Sequence, residues 1–423
     1  MKLQKILERL QKLHPKEIDL SLDRIKNLCQ KLGNPQKNLN SISVVGTNGK
    51  NSTIQTMRAI LDAAKVKCNI YTSPHVVRIN ERFVYDNKEI DDLELCKILS
   101  EVEEANNGDQ ITYFEILTAA FFHGTKKYKN NINIIESGLF HRFDATNILE
   151  KNIASVVTAI GIDHTDWLPE NERTIDKIIF EKTSSLLNSK IIVSNQNDKK
   201  TLEKIKKSIK SNGSKKIIFN DLYSFSLGEN NFFYYEDEYG GLKLPMPNLI
   251  GEFQLSNVAT AIATLRNIEK LNISDNYIKE GILKIPSIAR LQEIKSGKLK
   301  NIIKNNNLFI DGSHNPLGAK VLTDYLDTLH SNKHIVIGMM ANKDHEEYIS
   351  FFKNKIQSIT TVDIPNQPNA INGEKLKNKI TGFNNVHYKK TIFEALKSLK
   401  LKEKDIVLIT GSLYLAGEVL NLN

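Results

Sequence analysis

The residues that most clearly predict chemistry lie in a glycine-containing turn at residues 41–53, SISVVGTNGKNST. An apolar strand enters this turn, and Gly49 and Lys50 are followed by two hydroxyl residues, Ser52 and Thr53. Such a turn aims successive backbone N–H groups at one point, where the dipole of the following helix adds a positive field. Lys50 could reach the outer phosphates of a nucleotide while one hydroxyl faces a magnesium ion. The turn therefore predicts an ATP site.

The turn departs from the strict phosphate-loop signature at two positions. Val44 stands where the signature has glycine, and Asn51 stands where it has a hydroxyl. A structural turn, whose glycines only supply positive φ before a helix over 54–64, explains the same residues. Both interpretations stay open on this segment alone.

Polar residues also follow three predicted strands of the first half of the chain. They are Ser73 within Thr-Ser-Pro-His, Glu136 before Ser-Gly, and His164 at the end of Gly-Ile-Asp-His. Carboxyl ends of parallel strands meet at one edge of a sheet, so these residues should face one crevice with the phosphate loop. Mg²⁺ prefers oxygen ligands and tolerates one imidazole, which makes the three residues candidate metal ligands. Taken singly, each is also explained by a turn, a surface carboxylate or a helix cap.

The elements that position these residues follow a βα rhythm. Apolar strands are predicted at 69–72, 132–136, 154–160 and 190–194, with helices over 91–105 and 114–128 between them. This order is typical of a mostly parallel sheet. The aromatic-rich segment 223–244 predicts a small antiparallel sheet, and a helix is predicted over 254–270.

A second βα series follows, with strands predicted at 308–311, 334–339, 359–364 and 406–410. Because Ile285-Pro286-Ser287 breaks the preceding helix, we expect two α/β domains: a phosphate-loop ATPase domain over 1–286 and a smaller Rossmann-like domain over 287–423.

Composition limits the class of protein. The chain has 423 residues, enough for two cores, and its 40% hydrophobic content is typical of a globular protein. No run of about 18 uncharged apolar residues occurs, and the charged amino terminus resembles an amphipathic helix, so neither a membrane span nor a signal peptide is expected. The net charge of +9 is partly concentrated in a Lys-rich helix and loop over 199–216 without aromatics. This pattern favours a solvated face over a nucleic-acid site.

The three cysteines, Cys29, Cys68 and Cys96, are widely spaced and form no C-x-x-C pair. We expect buried thiols rather than a disulfide framework or a zinc site. A reducing, cytoplasmic location is the expectation that follows.

Further motifs occur in a fixed order along nearly the whole chain. They are Gly46-Thr-Asn-Gly-Lys50, Thr72-Ser-Pro-His75, Asn80-Glu-Arg82, Glu136-Ser-Gly-Leu139, Arg142-Phe-Asp-Ala-Thr-Asn147, Gly161-Ile-Asp-His-Thr165, Glu181-Lys182, Gly251-Glu-Phe-Gln254 with Asn257, Arg290-Leu-Gln292, Asp311-Gly-Ser-His-Asn-Pro316 and Gly411-Ser-Leu-Tyr414. In these motifs the chain resembles folylpolyglutamate synthase and dihydrofolate synthase, the folate branch of the Mur ligase superfamily.

The resemblance implies roles for particular residues. The ATP-binding set would be Thr47, Asn48, Gly49, Lys50, Asn51, Ser52, Asn257, Arg290 and Asp311. Magnesium, expected as two ions, would be held by Ser73, Glu136 and His164. The pterin pocket would draw on Asp19, Leu20, Ser21, Leu22, Thr112, Tyr113, Phe114, Glu115, Phe143, Asp144 and Ala145. Lys50, Lys182 and His314 would be catalytic, with Lys182 matching the family's carbamylated lysine. A carbamate would replace its positive charge by a negative one beside the second metal.

The implied activity is an acid–amino-acid ligation that consumes ATP. A carboxylate and an amine do not condense at neutral pH, so the γ-phosphoryl group would first activate the carboxylate of dihydropteroate or of a reduced folate. The amino group of L-glutamate would then displace phosphate. Domain closure would bring Asp311 and His314 to the nucleotide and keep water from the acyl phosphate. The expected partners are these small molecules, without nucleic acid or membrane, and the expected state is a monomer.

The chain also departs from the family pattern. Asn51 follows the phosphate-loop lysine in place of the usual glycine, and asparagine tolerates left-handed conformations. Phe140-His141 replaces two glycines, where bulky side chains are expected to alter the pterin pocket. Ser137 replaces an apolar residue, and Ile288-Ala289 replaces Pro-Gly.

Two other functions are compatible with these motifs. One is a Mur-type ligase of cell-wall precursors, although only about 40 residues precede the phosphate loop, where such enzymes usually have a UDP-binding domain. The other is a degenerate nucleotide-binding protein without catalysis, favoured only by Asn51 and Phe140-His141. Sequence alone does not separate dihydrofolate synthase from folylpolyglutamate synthase activity.

Overall fold

A computed structural model describes residues 2–16, 19–213, 215–229 and 231–423, which contacts divide into two α/β units. The first unit contains the residues up to His164, Leu168–Pro247 and Leu255–Ile285. The second contains Thr165–Trp167, Asn248–Gln254 and Pro286–Asn423. The predicted fold class of two α/β domains with mostly parallel sheets is confirmed, whereas the domain limits 1–286 and 287–423 stay a prediction.

The first unit is built on an eight-stranded sheet in the order β4-β3-β2-β5-β1-β6-β7-β8. Its strands are β1 (Asn40–Val45), β2 (Cys68–Tyr71), β3 (Phe83–Tyr85), β4 (Lys88–Glu89), β5 (Ile132–Glu136), β6 (Ala154–Val157), β7 (Lys190–Val193) and β8 (Lys215–Ile218). The six strands from β2 to β8 in this order are parallel, and β3 and β4 form an antiparallel edge. Five of the six β1 residues are buried, as expected for a strand covered on both faces.

Helices cover this sheet. They are α1 (Lys2–Gln11), α2 (Asp23–Lys31), α3 (Lys50–Ala63), α4 (Asp92–Asn106), α5 (Tyr113–Thr125), α6 (Ile175–Thr183), α7 (Lys199–Ser208), α8 (Phe253–Arg266) and α9 (Asp275–Ile282). Short 3₁₀ turns occur at Ile79–Arg82 and Glu170–Glu172, and a third, Thr165–Trp167, belongs to the second unit. One apolar cluster joins α1, α2, α4 and α5 to the β2–β3 side of the sheet, and another joins α6 and α7 to β6 and β7.

The predicted small antiparallel sheet is confirmed. It consists of β9 (Tyr223–Leu227), β10 (Phe232–Asp237) and β11 (Leu242–Pro245) in the order β11-β10-β9. Phe233 and Tyr235 are buried while Tyr234 between them is exposed, so alternation along β10 separates an inner from an outer face.

The second unit has a six-stranded sheet in the order β12-β13-β17-β14-β15-β16. Its strands are β12 (Gln292–Glu293), β13 (Asn307–Ile310), β14 (Lys333–Ile337), β15 (Ser358–Thr361), β16 (Val386–Tyr388) and β17 (Ile406–Thr410). Its helices are α10 (Lys298–Ile303), α11 (Pro316–Asp327), α12 (His345–Ser350), α13 (Gly373–Lys379), α14 (Ile392–Ser398) and α15 (Leu413–Leu422). All its strand pairs are parallel except β12 with β13.

Several local expectations need correction. The helix predicted over 54–64 begins at Lys50, since Gly49 adopts φ 87° and ends the loop one residue earlier. The Lys-rich stretch 199–216 is not only helix and loop, because residues 215 and 216 begin β8. Strands β3, β4, β8, β12 and β16 were not predicted, since they are short or carry few apolar residues. Among the described residues, no helix is long and apolar enough to cross a membrane.

Candidate active site

The phosphate loop follows β1, in the middle of the first sheet, and is fixed to the residues after β6. The Thr47 N–H donates to the Ala159 carbonyl at 2.9 Å, and the Thr47 hydroxyl donates to the Gly161 carbonyl at 3.0 Å. Gly49 is constrained on two counts: its φ is 87°, and a Cβ atom there would lie 2.4 Å from Asn257 Oδ1. The close approach places Asn257, on α8, against the loop, so two predicted ATP residues come together.

Two lysine side chains converge on the carbonyl of Gly46. Lys50, the first residue of α3, donates from Nζ to the Gly46 carbonyl at 3.1 Å and to the Thr47 carbonyl at 3.2 Å. Lys182, near the end of α6, donates to the same Gly46 carbonyl at 3.0 Å and to the Leu139 carbonyl at 2.7 Å. Two amines therefore lie beside the loop, where they could bind the phosphates of a nucleotide.

Lys182 is buried, and burial is the main reason that its pKa falls to about 7; the nearby charge of Lys50 lowers it further. Near neutral pH the side chain is therefore divided between the ammonium and the free amine. The adjacent Glu181 binds Arg142 through two hydrogen bonds of 2.9 and 2.7 Å, which fix the end of α6 to the segment that follows β5.

Two of the three predicted metal ligands are adjacent. Glu136, the buried last residue of β5, accepts a hydrogen bond from the Ser73 N–H at 3.1 Å. His164 follows β6 with φ 58°, and its N–H donates to Asp163 Oδ1 at 2.8 Å. No group of three or more His, Cys, Asp or Glu suited to a metal occurs among the described residues. The three-residue ligand set stays a prediction.

The segments predicted to form the pterin pocket meet in the first unit. Arg24, which sequence reasoning missed, donates from Nη1 to Asp19 at 2.8 Å and from Nε to Glu115 at 3.0 Å. Thr112 and Glu115 form a capping box at the start of α5. No local pattern marks Arg24, because an arginine near the start of an amphipathic helix is usually a surface residue.

The third pterin segment joins them at Gly138. A Cβ atom on Gly138 would lie 3.0 Å from the Phe114 ring and 3.2 Å from Asp144 Oδ2. The same Asp144 oxygen accepts the N–H groups of Gly138 at 2.8 Å and Leu139 at 3.2 Å, while burial raises the pKa of this carboxyl. The structure thus brings these segments together.

The structure places the side chains of Phe140 and His141 in the interior, and their effect on the pterin pocket stays a prediction. Phe140 is 2% exposed and packs in the apolar cluster with Val45 and Val157, so it lies in the core. His141 is buried, and its Nδ1 lies 3.0 Å from the hydroxyl of Ser137. Two departures from the family pattern, Ser137 and His141, are therefore one hydrogen-bonded pair. Asn51 likewise needs no left-handed conformation, because it lies within α3.

The remaining predicted residues form a cluster in the second unit. Asp311, after β13, accepts the N–H of Leu291 at 2.9 Å and of Ser313 at 2.8 Å. His314 Nδ1 lies 2.9 Å from the Gly312 carbonyl, and Arg290 donates to the carbonyl of Ala289 at 2.9 Å. Their predicted part in nucleotide binding stays a prediction.

Comparison with known proteins follows this geometry. The family model of the Mur ligase middle domain matches residues 44–265, and that of the Mur ligase glutamate ligase domain matches residues 298–413. The first match alone spans more than half of the chain. The protein therefore belongs to the Mur ligase family.

Within this family the relatives point to the folate branch. The chain is 29% identical to the dihydrofolate synthase/folylpolyglutamate synthase of Escherichia coli, over 98% of this chain and 94% of that protein. The structure of E. coli FolC in complex with DHPP and ADP is similar with a TM-score of 0.85 and 28% identity, covering 99% of this chain and 97% of the other. The bifunctional enzyme of Yersinia pestis complexed with AMPPNP and Mn ion gives a TM-score of 0.86 and 26% identity, covering 99% and 97%. The predicted resemblance to folylpolyglutamate synthase and dihydrofolate synthase is confirmed.

Proposed function

We propose that this protein joins L-glutamate to the carboxylate of dihydropteroate, of a reduced folate, or of both, while converting ATP to ADP and phosphate. The observation that carries the proposal is the phosphate loop, where Lys50 and Lys182 both donate to the Gly46 carbonyl. The chain is also similar over 98% of its length to a dihydrofolate synthase/folylpolyglutamate synthase. The alternative of a cell-wall ligase has no such relative among those compared above.

The reaction begins with ATP on the phosphate loop. Backbone N–H groups at the start of α3 and the Lys50 ammonium face the β- and γ-phosphates. An oxygen of the acceptor carboxylate attacks the γ-phosphorus, the bond to the β-phosphate oxygen breaks, and ADP leaves. The product of this step is an acyl phosphate. The nitrogen of glutamate then attacks the acyl carbon, the C–O bond to phosphate breaks, and the nitrogen loses a proton as the amide forms.

The chemistry of the residues at the strand ends fits a divalent cation. Glu136 offers a buried carboxylate and Ser73 a hydroxyl beside it, which are the hard oxygen donors that Mg²⁺ and Mn²⁺ prefer. We propose that Ser73, Glu136 and His164 hold magnesium, with a second ion nearer Lys182. Bound ions would offset the repulsion between the carboxylate and the phosphate oxygens.

Lys182 is proposed to carry a carbamate. Its pKa of about 7 leaves a large fraction of free amine at neutral pH, and the free amine is the form that adds to CO₂. The reaction forms one N–C bond and releases one proton. The present contacts with the Gly46 and Leu139 carbonyls suit an amine. A carbamate, with one N–H, keeps at most one of them, so carbamylation requires a local change that a ¹³C spectrum under ¹³CO₂ would detect.

The pterin-binding proposal rests on the meeting of three segments. Asp19–Leu22, Thr112–Glu115 and Phe143–Ala145 are joined through Arg24 and Gly138. The two Asp144 oxygens already accept four hydrogen bonds within the chain, so this carboxyl is proposed to shape the pocket rather than to bind the pterin ring directly. Phe140 and His141 are buried directly after the Gly138 turn, and the effect of these substitutions on the pocket stays a prediction.

The test is ADP release by the purified protein with Mg-ATP and L-glutamate, in the presence of dihydropteroate, tetrahydrofolate or no acceptor. Turnover with dihydropteroate alone assigns a dihydrofolate synthase, and turnover with both assigns a bifunctional enzyme. Lys50→Met should abolish turnover, whereas Lys97→Met on the exposed face of α4 should not change it. No release with either acceptor, despite ATP binding, would refute the proposal for these substrates.

A further inference from the structure

One motif of the first unit has no part in the reaction described above. It is Asn80-Glu81-Arg82, which forms the 3₁₀ turn that leads into β3. Asn80 donates from Nδ2 to the Ile90 carbonyl at 3.0 Å and to Asp92 at 2.9 Å. The Glu81 carboxylate accepts the backbone N–H groups of residues 76–78 at 2.7, 2.9 and 2.7 Å. These two residues therefore shape the loop after Ser73, and their side chains are hydrogen-bonded within the protein.

Arg82 differs from its two neighbours in the motif. Its Nε donates to His75 Nδ1 at 3.0 Å, so the Nε edge of the guanidinium is held in place. Both Nη groups remain, and no carboxylate of the described residues lies within 4.0 Å of them to form an ion pair. The side chain is half-buried. A guanidinium that is partly removed from water and lacks an anion is suited to bind one from solution, because two parallel N–H donors match a carboxylate.

The position of Arg82 is also informative. Thr72 donates its N–H to the Arg82 carbonyl at 3.3 Å, so Arg82 stands beside the carboxyl end of β2. The next residue after Thr72 is Ser73, which contacts Glu136. The charge of Arg82 also acts on the hydroxyl groups of Tyr71 and Tyr113, and Tyr113 belongs to a predicted pterin segment. Arg82 is thus near both the proposed metal ligands and the proposed pterin pocket.

We propose that Arg82 binds the carboxylate of the pterin acceptor and positions it for attack on ATP. The inference rests on the proposed function and adds a specificity-determining residue to it. The bound carboxylate is the reacting one, which is the benzoate carboxylate of dihydropteroate and the side-chain carboxylate of the glutamate tail in a folate. Its two oxygens accept from the two Nη groups, while His75 holds the guanidinium plane. The arginine thereby reduces the repulsion that two anions experience when they approach each other.

Binding without turnover tests the proposal directly. The affinity of the protein for pteroate is compared with its affinity for pteroate methyl ester, which lacks the charge, in wild type and in Arg82→Gln. Wild type should prefer the acid by at least about tenfold, as for other charge-assisted hydrogen bonds to an arginine. Arg82→Gln should lose that preference and retain its affinity for the ester. An unchanged preference for the acid in this variant would overturn the proposal.

Steady-state kinetics show which substrate carboxylate Arg82 binds. Arg82→Gln should raise the KM for dihydropteroate and for tetrahydrofolate by at least about tenfold, with the KM values for ATP and glutamate within twofold. Arg82→Lys should restore part of the loss. A rise confined to tetrahydrofolate would assign Arg82 to a second carboxylate of the tail, and a rise confined to glutamate would assign it to the incoming amino acid. Either result would overturn the proposal.

A neighbouring arginine supplies the control. Arg78 is exposed and pairs with Glu89 at 2.6 Å, so Arg78→Gln should change none of these values. If wild type releases no ADP with either acceptor, the proposed function fails, yet the comparison of pteroate with its ester still tests Arg82. A fall in Tm for Arg82→Gln, together with equal losses of affinity for acid and ester, would show a structural role and contradict the proposal.

Discussion

Lys182 is a single residue whose buried environment destabilises its protonated form. Burial lowers its pKa from the ordinary value of 10.5 to about 7. Between these values the unfolded chain binds more protons than the folded chain, so the contribution of Lys182 to the free energy of unfolding rises with pH. The destabilising effect of its charge is fully present below about pH 7 and is relieved toward pH 10.5.

The prediction is a pH-dependent difference between wild type and Lys182→Met. From pH 7 to pH 8.5, in CO₂-free buffer, the free energy of unfolding of wild type should increase by about 1–2 kcal/mol relative to the variant. Urea titrations at the two pH values measure it, with Lys97→Met as the exposed control. Parallel curves for wild type and Lys182→Met would show that the lysine keeps an ordinary pKa.

Gly49 is the second residue that gives a sharp prediction. Gly49→Ala should weaken binding of an ATP analogue and lower the free energy of unfolding, because its Cβ would meet Asn257 Oδ1 at 2.4 Å. Gly33 has a similar φ of 79° but no atom within 4 Å of its Cβ, so Gly33→Ala isolates the cost of the backbone conformation, about 1 kcal/mol. Calorimetry and chemical denaturation compare the two. Equal losses of stability and affinity in both variants would contradict the close approach of Asn257.

Ser137 and His141 illustrate what a list of substitutions does not reveal. The sequence marks them as two unrelated departures from the family. The structure joins them by a hydrogen bond of 3.0 Å in a buried place, and Thr146 lies 3.3 Å from the same hydroxyl. The two residues are four positions apart, yet they belong to an irregular segment in which spacing does not determine contact.

At the scale of elements, the link between α9 and β12 carries a strained residue. Ala289 is buried and adopts φ 52°, and Gly312 donates its N–H to the Ala289 carbonyl at 3.0 Å. The family has glycine there, and glycine adopts this conformation without steric cost. Ala289→Gly should therefore stabilise the protein by about 1 kcal/mol, measured as a higher urea midpoint at an unchanged m-value.

A matched variant controls for the general effect of glycine. Ala263→Gly in the buried helix α8 should lower the free energy of unfolding by about 1 kcal/mol or more, since glycine weakens a helix interior. If Ala289→Gly also destabilises, the strain assigned to Ala289 is wrong.

The elements themselves were predicted unequally. Strands β5 and β17 match their predicted ranges, because both are short segments rich in β-branched residues, with three isoleucines in β5 and the run Ile-Val-Leu-Ile in β17. The helix after the phosphate loop begins four residues earlier than predicted. Its first turn contains Asn51, Ser52 and Thr53, whose low helix propensity is overridden by packing, since Ser52 and Thr53 are buried.

For the molecule as a whole, the proposed reaction joins three anions, namely ATP, the acceptor and glutamate. A net charge of +9 favours their approach but is partly concentrated over residues 199–216, so neutralisation at the site must come from local groups. We predict that EDTA abolishes ADP release and that added Mg²⁺ restores it, while the circular dichroism spectrum stays unchanged. Retained release in EDTA, after dialysis, would contradict the metal proposal.

The sequence by itself determined the fold class, the family and the location of the phosphate loop. These depend on local periodicity, on glycines at fixed positions and on the order of motifs, all of which are properties of the chain alone. Only the tertiary structure decided that Lys182 and Lys50 share the Gly46 carbonyl, that Arg24 joins two pterin segments, and that Phe140 lies in the core. Such contacts join residues up to 136 positions apart, because a parallel sheet brings the ends of distant strands to one edge, and no pattern within a segment encodes them.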